Sequence, residues 1–147
     1  MKTIWITGGS SGIGLATAKE FLFNEWQVII SSSNKEKLEN FKKKLSQTQN
    51  INLLHIIPCD ISNEKNVKDT ISHIETHIGK IDLALLNASA YSPNKNQIFD
   101  ISNYELLIDV NIKGTLYCIN TLKDYMNGRN NTIAIISSPL GYRGWPT

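Results

Sequence analysis

Eight residues near the N-terminus, TGGSSGIG at positions 7–14, carry three glycines between the apolar run TIWI and the stretch LATAKEFLF. A helix that opens at such a loop presents unpaired N–H groups and a partial positive charge at its first turn. A pyrophosphate rests there if the backbone lets it come close. In that reading Gly8 lets the chain turn sharply off the first strand. Gly12 has no β-carbon to block the phosphates, and Gly14 lets the helix pack tightly on the strand. Ser10 and Ser11 supply hydroxyl donors or a cap, and Thr7 and Ile13 belong to the same candidate binding loop. Leu15 stands where a Walker A loop needs lysine, which argues against a nucleoside triphosphate. The glycines open a helix after an N-terminal strand within a βαβ unit, the context of dinucleotide binding.

Other reactive residues are less promising. His73 and His77 form an i, i+4 pair in HIETH, but the apolar stripe of that helix leaves both on the exposed side, and Glu75 is not placed as in a metalloprotease helix. No metal site is expected. Cys59 and Cys118 have no partners at metal-ligand spacing and read as reduced, buried thiols of a cytoplasmic protein. The net charge of +2 gives no reason to expect nucleic acid. Lys42, Lys43 and Lys44 read as the solvated face of a helix. No apolar run approaches the length of a membrane span, and no signal peptide is evident.

The elements that must position the loop alternate along the chain. Strands are expected at KTIWIT, 27–31, 51–59, 81–87 and 132–137. Helices are expected at 12–24, with Ile13, Ala16 and Phe21 on the buried face, and at 35–47, on a stripe of Leu38, Phe41 and Leu45. A third covers 64–78, on Val67, Ile71, Ile74 and Ile78. Gly79 reads as its C-cap. A fourth, long helix runs to about Met126, opened by a Ser102–Glu105 capping box and stopped at Asn127-Gly128. Five strands joined by helical crossovers predict an α/β fold, a doubly wound Rossmann-type parallel sheet with helices on both faces. The 147 residues suit a single domain. Thr7, Ser31, Asp60, Asn87 and Ser137 all close strands, where ligands of such sheets bind.

At this point the sequence resembles the short-chain dehydrogenase/reductase family. Thr7, Gly8, Gly12 and Gly14 match the pattern T-G-x-x-x-G-x-G. CDIS places Asp60 and Ile61 at positions that contact the adenine ring in the family. LLNASA is similar to its N-N-A-G stretch, with Asn87 and Ala88 in place and departures at Leu86 and Ser89. VNIKG supplies Asn111, and IISSPLGYRG supplies Ser138, similar to the active-site asparagine and serine. The resemblance implies an NAD(P)-dependent oxidoreductase that moves hydride between a nicotinamide and a small carbonyl or alcohol substrate. Ser138 would hydrogen-bond the substrate oxygen, and Asn111 would order a water linked to the catalytic lysine. Ser32 stands where NAD-preferring members place Asp, and Ser33 where NADP-preferring ones often place Arg. With no carboxylate to repel a ribose phosphate, and with Ser32, Ser33, Asn34 and Lys35 as donors, NADP is expected over NAD.

The resemblance also implies a tyrosine with a lysine four places on, expected about four residues beyond Thr147. Tyr142 is too near Ser138 to substitute and has Pro146 four places later. The sequence therefore reads as an N-terminal portion without its last strands and helices, inactive as 147 residues, whose full-length form is a homo-oligomer. The rival readings are a catalytically dead nucleotide- or partner-binding remnant and a sugar-nucleotide epimerase or dehydratase. The glycine spacing disfavours the latter, whose usual pattern is T-G-x-x-G-x-x-G.

Overall fold

A computed structural model describes residues 1–45, 50–91 and 100–144. Five strands, β1 (Thr3–Thr7), β2 (Gln27–Ser32), β3 (Leu54–Pro58), β4 (Leu83–Leu86) and β5 (Thr132–Ile135), form one sheet in the order β3-β2-β1-β4-β5. Every adjacent pair is parallel, with Thr7 opposite Ser31 on one side and Leu86 on the other. The order reverses between β1 and β4, so the switch point lies above Thr7 and Leu86.

Alternation along β1 sorts the core onto two faces. Ile4 and Ile6, with Val28, Ile30 and Leu85, meet Ala18 and Leu22 of α1 (Gly12–Phe23) and Leu38, Phe41 and Leu45 of α2 (Lys35–Leu45). Trp5, Ile29, Ala84 and Leu86 point the other way. There they meet Val67 and Ile71 of α3 (Glu64–His73) and Cys118, Leu122 and Met126 of α5 (Thr115–Met126). Trp5 is fully buried, and its indole N–H donates to Ser31 Oγ at 3.0 Å, so β1 and β2 are also tied through side chains. Both faces of the sheet carry helices, as expected for apolar strands.

Several boundaries differ from expectation. In α1 the buried face is Gly14, Ala18 and Leu22, while Ile13 and Ala16 are exposed. Small residues at i and i+4 let this helix approach closely, with Gly14 against Gly8, Gly9 and Asn87, so two of the three residues of its contact stripe carry little or no side chain. Residues Ile51–Leu53 form a 3-10 turn rather than the start of β3. The third helix gives way to a π-turn at Ile74–Ile78. Gly79 is extended (φ 169°) rather than left-handed, and a β-carbon there would sit 2.9 Å from Gln27 Oε1 and 3.0 Å from Thr3 Oγ1. Gly79 does end the helical stretch as its C-cap, its N–H donating to Ile74 O at 2.9 Å, and close approach rather than a left-handed φ is what requires glycine there. The long helix begins at α4 (Ile101–Leu107) and reaches α5 through a π segment at Ile108–Gly114. Its cap is Asp100, whose carboxylate accepts from the N–H and hydroxyl of Ser102 at 3.0 and 2.7 Å; Ser102 lies inside the first turn and is not the cap. Asn127-Gly128 does end α5, with Gly128 at φ 73°. Ser46, Gln47, Pro93, Trp145 and Pro146 lie outside the described residues. Among the described residues no helix is long and apolar enough to cross a membrane.

Candidate functional site

The glycine loop leaves β1 with Gly8 at φ 64°. Its N–H donates to Ser31 O at 2.7 Å, and a β-carbon on it would lie 2.7 Å from Ala88 Cα. Gly14 is as crowded: its β-carbon would meet Gly8 O at 2.7 Å and Asn87 Nδ2 at 2.8 Å. Gly12, at φ 52°, is different, with nothing within 4 Å of its would-be β-carbon. The loop is therefore packed against β4 on its protein side and open at Gly12.

Thr7 and Asn87 hold this arrangement. Thr7 is 1% exposed, and its Oγ1 accepts from the N–H groups of Asn87 and Ala88 at 3.0 and 3.1 Å. Asn87 Nδ2 donates back to the carbonyls of Thr7 and Gly8 at 3.2 and 3.0 Å. The asparagine amide thus braces the turn from beneath. Ser11 is the N-cap of α1, extended at φ −158°, yet its hydroxyl makes no capping bond and the first turn holds no acidic residue. The positive end of α1 is left for an anion from outside.

A cleft of ≈ 510 Å³ opens over this turn. It is lined by Gly8, Ser10, Ser11, Gly12 and Ile13 on one side, by Ser32 and Ser33 at the end of β2, by Asp60 and Ile61 beyond β3, and by Asn87 and Ala88 beyond β4. Of the residues expected to bind cofactor, Thr7 and Gly14 alone do not line it, since they lie beneath its floor. Asn34, Lys37, Cys59, Ser89 and Val110 complete the wall. Lys37 escaped the sequence reading, which chose Lys35. Lys35 instead lines a separate groove beside Leu54, His55 and Pro58. Two residues apart on a helix means about 200° of rotation, so the two lysines cannot face the same way.

Local hydrogen bonds shape the polar walls. Asn34 caps α2, its Oδ1 accepting from Lys37 N–H at 2.9 Å, while its own N–H donates to Ser32 Oγ at 3.3 Å. The helix cap is thus Asn34 rather than either serine. Across the cleft, Asp60 Oδ1 accepts from the N–H and hydroxyl of Ser62 at 3.0 and 2.7 Å, and Asp60 N–H donates to Asn66 Oδ1 at 2.9 Å. Burial raises the Cys59 thiol above its ordinary range, with a Thr70 hydrogen bond opposing and the Asp60 charge adding. Burial pushes Cys118 up to about 12. Neither is a ready nucleophile.

The residues expected to act on substrate are placed less centrally. Asn111 lies in the π segment, an irregularity frequent at functional sites, next to the wall residue Val110. Its Oδ1 accepts from Ala90 N–H at 2.7 Å and its Nδ2 donates to Ala90 O at 2.9 Å, fastening the chain just beyond β4. Ser138 is exposed beyond β5, its carbonyl accepting from Gly141 N–H at 3.1 Å, and it is not among the residues lining the cleft. Tyr142 is 92% exposed. One tyrosine does have a lysine four places on: Tyr91, with Lys95. Pro93 falls between them, which disfavours the helical turn that would align the pair, and Lys95 lies outside the described residues. His73 and His77 are both exposed, and among the described residues no group of three metal-ligating side chains occurs.

A doubly wound parallel sheet with a glycine turn at its switch point defines the class of Rossmann-type nucleotide-binding folds. The model of the family described as short chain dehydrogenase matches residues 2–147, and the chain belongs to that family. It is 32% identical over 136 residues to an uncharacterized oxidoreductase of Staphylococcus aureus strain MW2, covering 90% of this chain and 57% of that protein. Among solved structures, it is similar to a short chain dehydrogenase from Bacillus anthracis, with a TM-score of 0.86, 26% identity, and coverage of 99% of this chain and 58% of that one. It is also similar to ElxO with NADPH bound, with a TM-score of 0.84, 28% identity and the same coverage. The chain therefore spans somewhat more than half the length of these relatives.

Proposed function

We propose that this chain supplies the dinucleotide-binding part of an NAD(P)-dependent oxidoreductase that interconverts a carbonyl and an alcohol, with NADP as the preferred cofactor. The observation that carries the reading is the uncapped N-terminus of α1 facing open space at Gly12, directly over the switch point. The residues fit a dinucleotide along the whole cleft. The Gly8–Gly14 loop would hold the pyrophosphate on backbone N–H groups. Asp60 and Ile61 would flank the adenine. Ser32 and Ser33 would face the adenosine ribose, and Asn87 and Ala88 the way toward the nicotinamide. When bound, the nicotinamide supplies or accepts the hydride. Asn111 would fix the β4 loop through Ala90 and so hold the floor on which the nicotinamide ribose lies. Ser138 would donate to the substrate oxygen. The NADPH-bound relative supports the cofactor class. The absence of a carboxylate at Ser32 supports NADP.

The test is Ser32→Asp. A carboxylate there accepts hydrogen bonds from free ribose hydroxyls and repels a phosphate, so the variant should reverse the preference from NADPH to NADH in direct binding measurements. Tighter binding of NADH than NADPH by the unaltered protein would refute the cofactor assignment.

A further inference from the structure

Resting on that reading, we infer that Lys37, projecting from the first turn of α2, is the residue that reads the phosphate distinguishing NADP from NAD. Among the described residues, Lys37 and Asp60 are the two charged side chains lining the cleft, and Lys37 lies on the wall formed by Ser32, Ser33 and Asn34. Asp60 stands across the cleft with its Oδ1 engaged by Ser62. Among the described residues no carboxylate on the Lys37 wall competes for the ammonium: Glu36 and Glu39, its neighbours on α2, do not line the cleft.

The cap fixes where this cation sits. Asn34 Oδ1 holds Lys37 N–H at 2.9 Å, and the buried stripe of Leu38, Phe41 and Leu45 sets the rotation of the helix. Ser32 Oγ accepts from Asn34 N–H at 3.3 Å, which uses an oxygen lone pair and leaves the hydroxyl proton to donate. The wall thus combines one ammonium with the hydroxyls of Ser32 and Ser33. That donor set suits a phosphomonoester, an acceptor with three oxygens and a charge of about −1.5 to −2 at neutral pH. A ribose carrying free hydroxyls offers the ammonium neutral acceptors alone, a weaker partner than a charged phosphate. Asn34 acts as a positioning residue for Lys37. Lys35, the nearer candidate by sequence, faces the groove beside β3 and is excluded.

The experiment titrates NADPH, NADH, 2′,5′-ADP and 5′-ADP into the unaltered protein, Lys37→Met and Lys37→Arg by calorimetry at low and high salt. Lys37 is exposed, and thermal melts verify that the variants remain folded. Lys37→Met should weaken NADPH and 2′,5′-ADP by about tenfold, the loss expected for one charge-assisted contact. NADH and 5′-ADP should be unaffected, Lys37→Arg should retain the preference, and the difference should shrink at high salt. Equal weakening of all four ligands, or no change in any, would overturn the assignment while leaving dinucleotide binding intact. Failure of the unaltered protein to bind any of the four would overturn the proposed function itself, and this inference with it.

Discussion

Substituting alanine at Gly8 and at Gly12 should separate folding from binding. Both glycines have positive φ, 64° and 52°, so an L side chain incurs about 1–2 kcal/mol of backbone strain at either site. At Gly8 the new methyl also lies 2.7 Å from Ala88 Cα and 3.0 Å from Ala88 N, backbone atoms held by Thr7. Relieving that overlap adds about 1–3 kcal/mol. At Gly12 the methyl meets nothing within 4 Å. Gly8→Ala should therefore destabilise by roughly 2–5 kcal/mol, and Gly12→Ala by about 1–2 kcal/mol. With about 2–4 °C lost per kcal/mol in a chain of this size, the melting temperature should fall by roughly 10 °C and 4 °C respectively. The folded Gly12→Ala protein should nevertheless lose at least about tenfold in NADPH affinity, because its methyl stands where the pyrophosphate meets the helix. The assay is differential scanning calorimetry of both variants, followed by NADPH titration of each below its transition. Alanine is a cleaner probe than valine, whose β-branch is poorly tolerated in the left-handed region. A larger loss of stability at Gly12 than at Gly8, or unchanged NADPH binding by folded Gly12→Ala, would refute the division of labour between the glycines.

Two further perturbations address the scaffold. Thr7→Val keeps the shape but deprives the N–H groups of Asn87 and Ala88 of their acceptor; the expected loss is roughly 2–4 kcal/mol, read from chemical denaturation, and a neutral effect would show that the hydroxyl does not brace the loop. Burial holds the pKa of His55 below its ordinary 6.5, and Gln27 Nε2 lies 3.0 Å from His55 Nε2, suited to donating to the neutral ring. Below 6.5 the unfolded chain then binds the proton more readily than the folded one, so stability is full above that pH and is lost as pH falls through the folded value. His55→Gln should flatten the denaturation midpoint between pH 5 and pH 7, and an unchanged slope would assign the dependence to other groups.

Most of the architecture was legible because apolar periodicity coincided with burial. Leu38, Phe41 and Leu45, and Val67, Ile71 and Ile74, are buried where their spacing put them. The reading failed where packing depends on what is missing. The buried stripe of α1 is Gly14, Ala18 and Leu22, whose first two residues serve close approach, whereas the expected face of Ile13, Ala16 and Phe21 lies at a different phase of the same helix. The cap of the long helix went astray because Asp100 and Ser102 are both good caps two residues apart, and the carboxylate took the role. The π segments follow from no local signal, although one carries Asn111. The cleft was legible through its glycines and strand ends. Lys37 was not: the stripe of Leu38, Phe41 and Leu45 already gave the phase of α2, but Lys35 was favoured for its nearness in sequence to the end of β2.

The central claim is that one cleft, from the α1 N-terminus across the ends of β2, β3 and β4, holds a dinucleotide. Amide chemical-shift mapping of the isotopically labelled protein during titration with NADPH tests it most directly. The largest shifts should fall on Gly8 and Ser10–Gly14, on Ser32, Ser33 and Lys37, on Asp60 and Ile61, and on Asn87 and Ala88, with the groove between α3 and α5 at Ser72 and Thr121 unmoved. Shifts concentrated at Ser72 and Thr121, or absent from the glycine loop at saturating NADPH, would contradict the account.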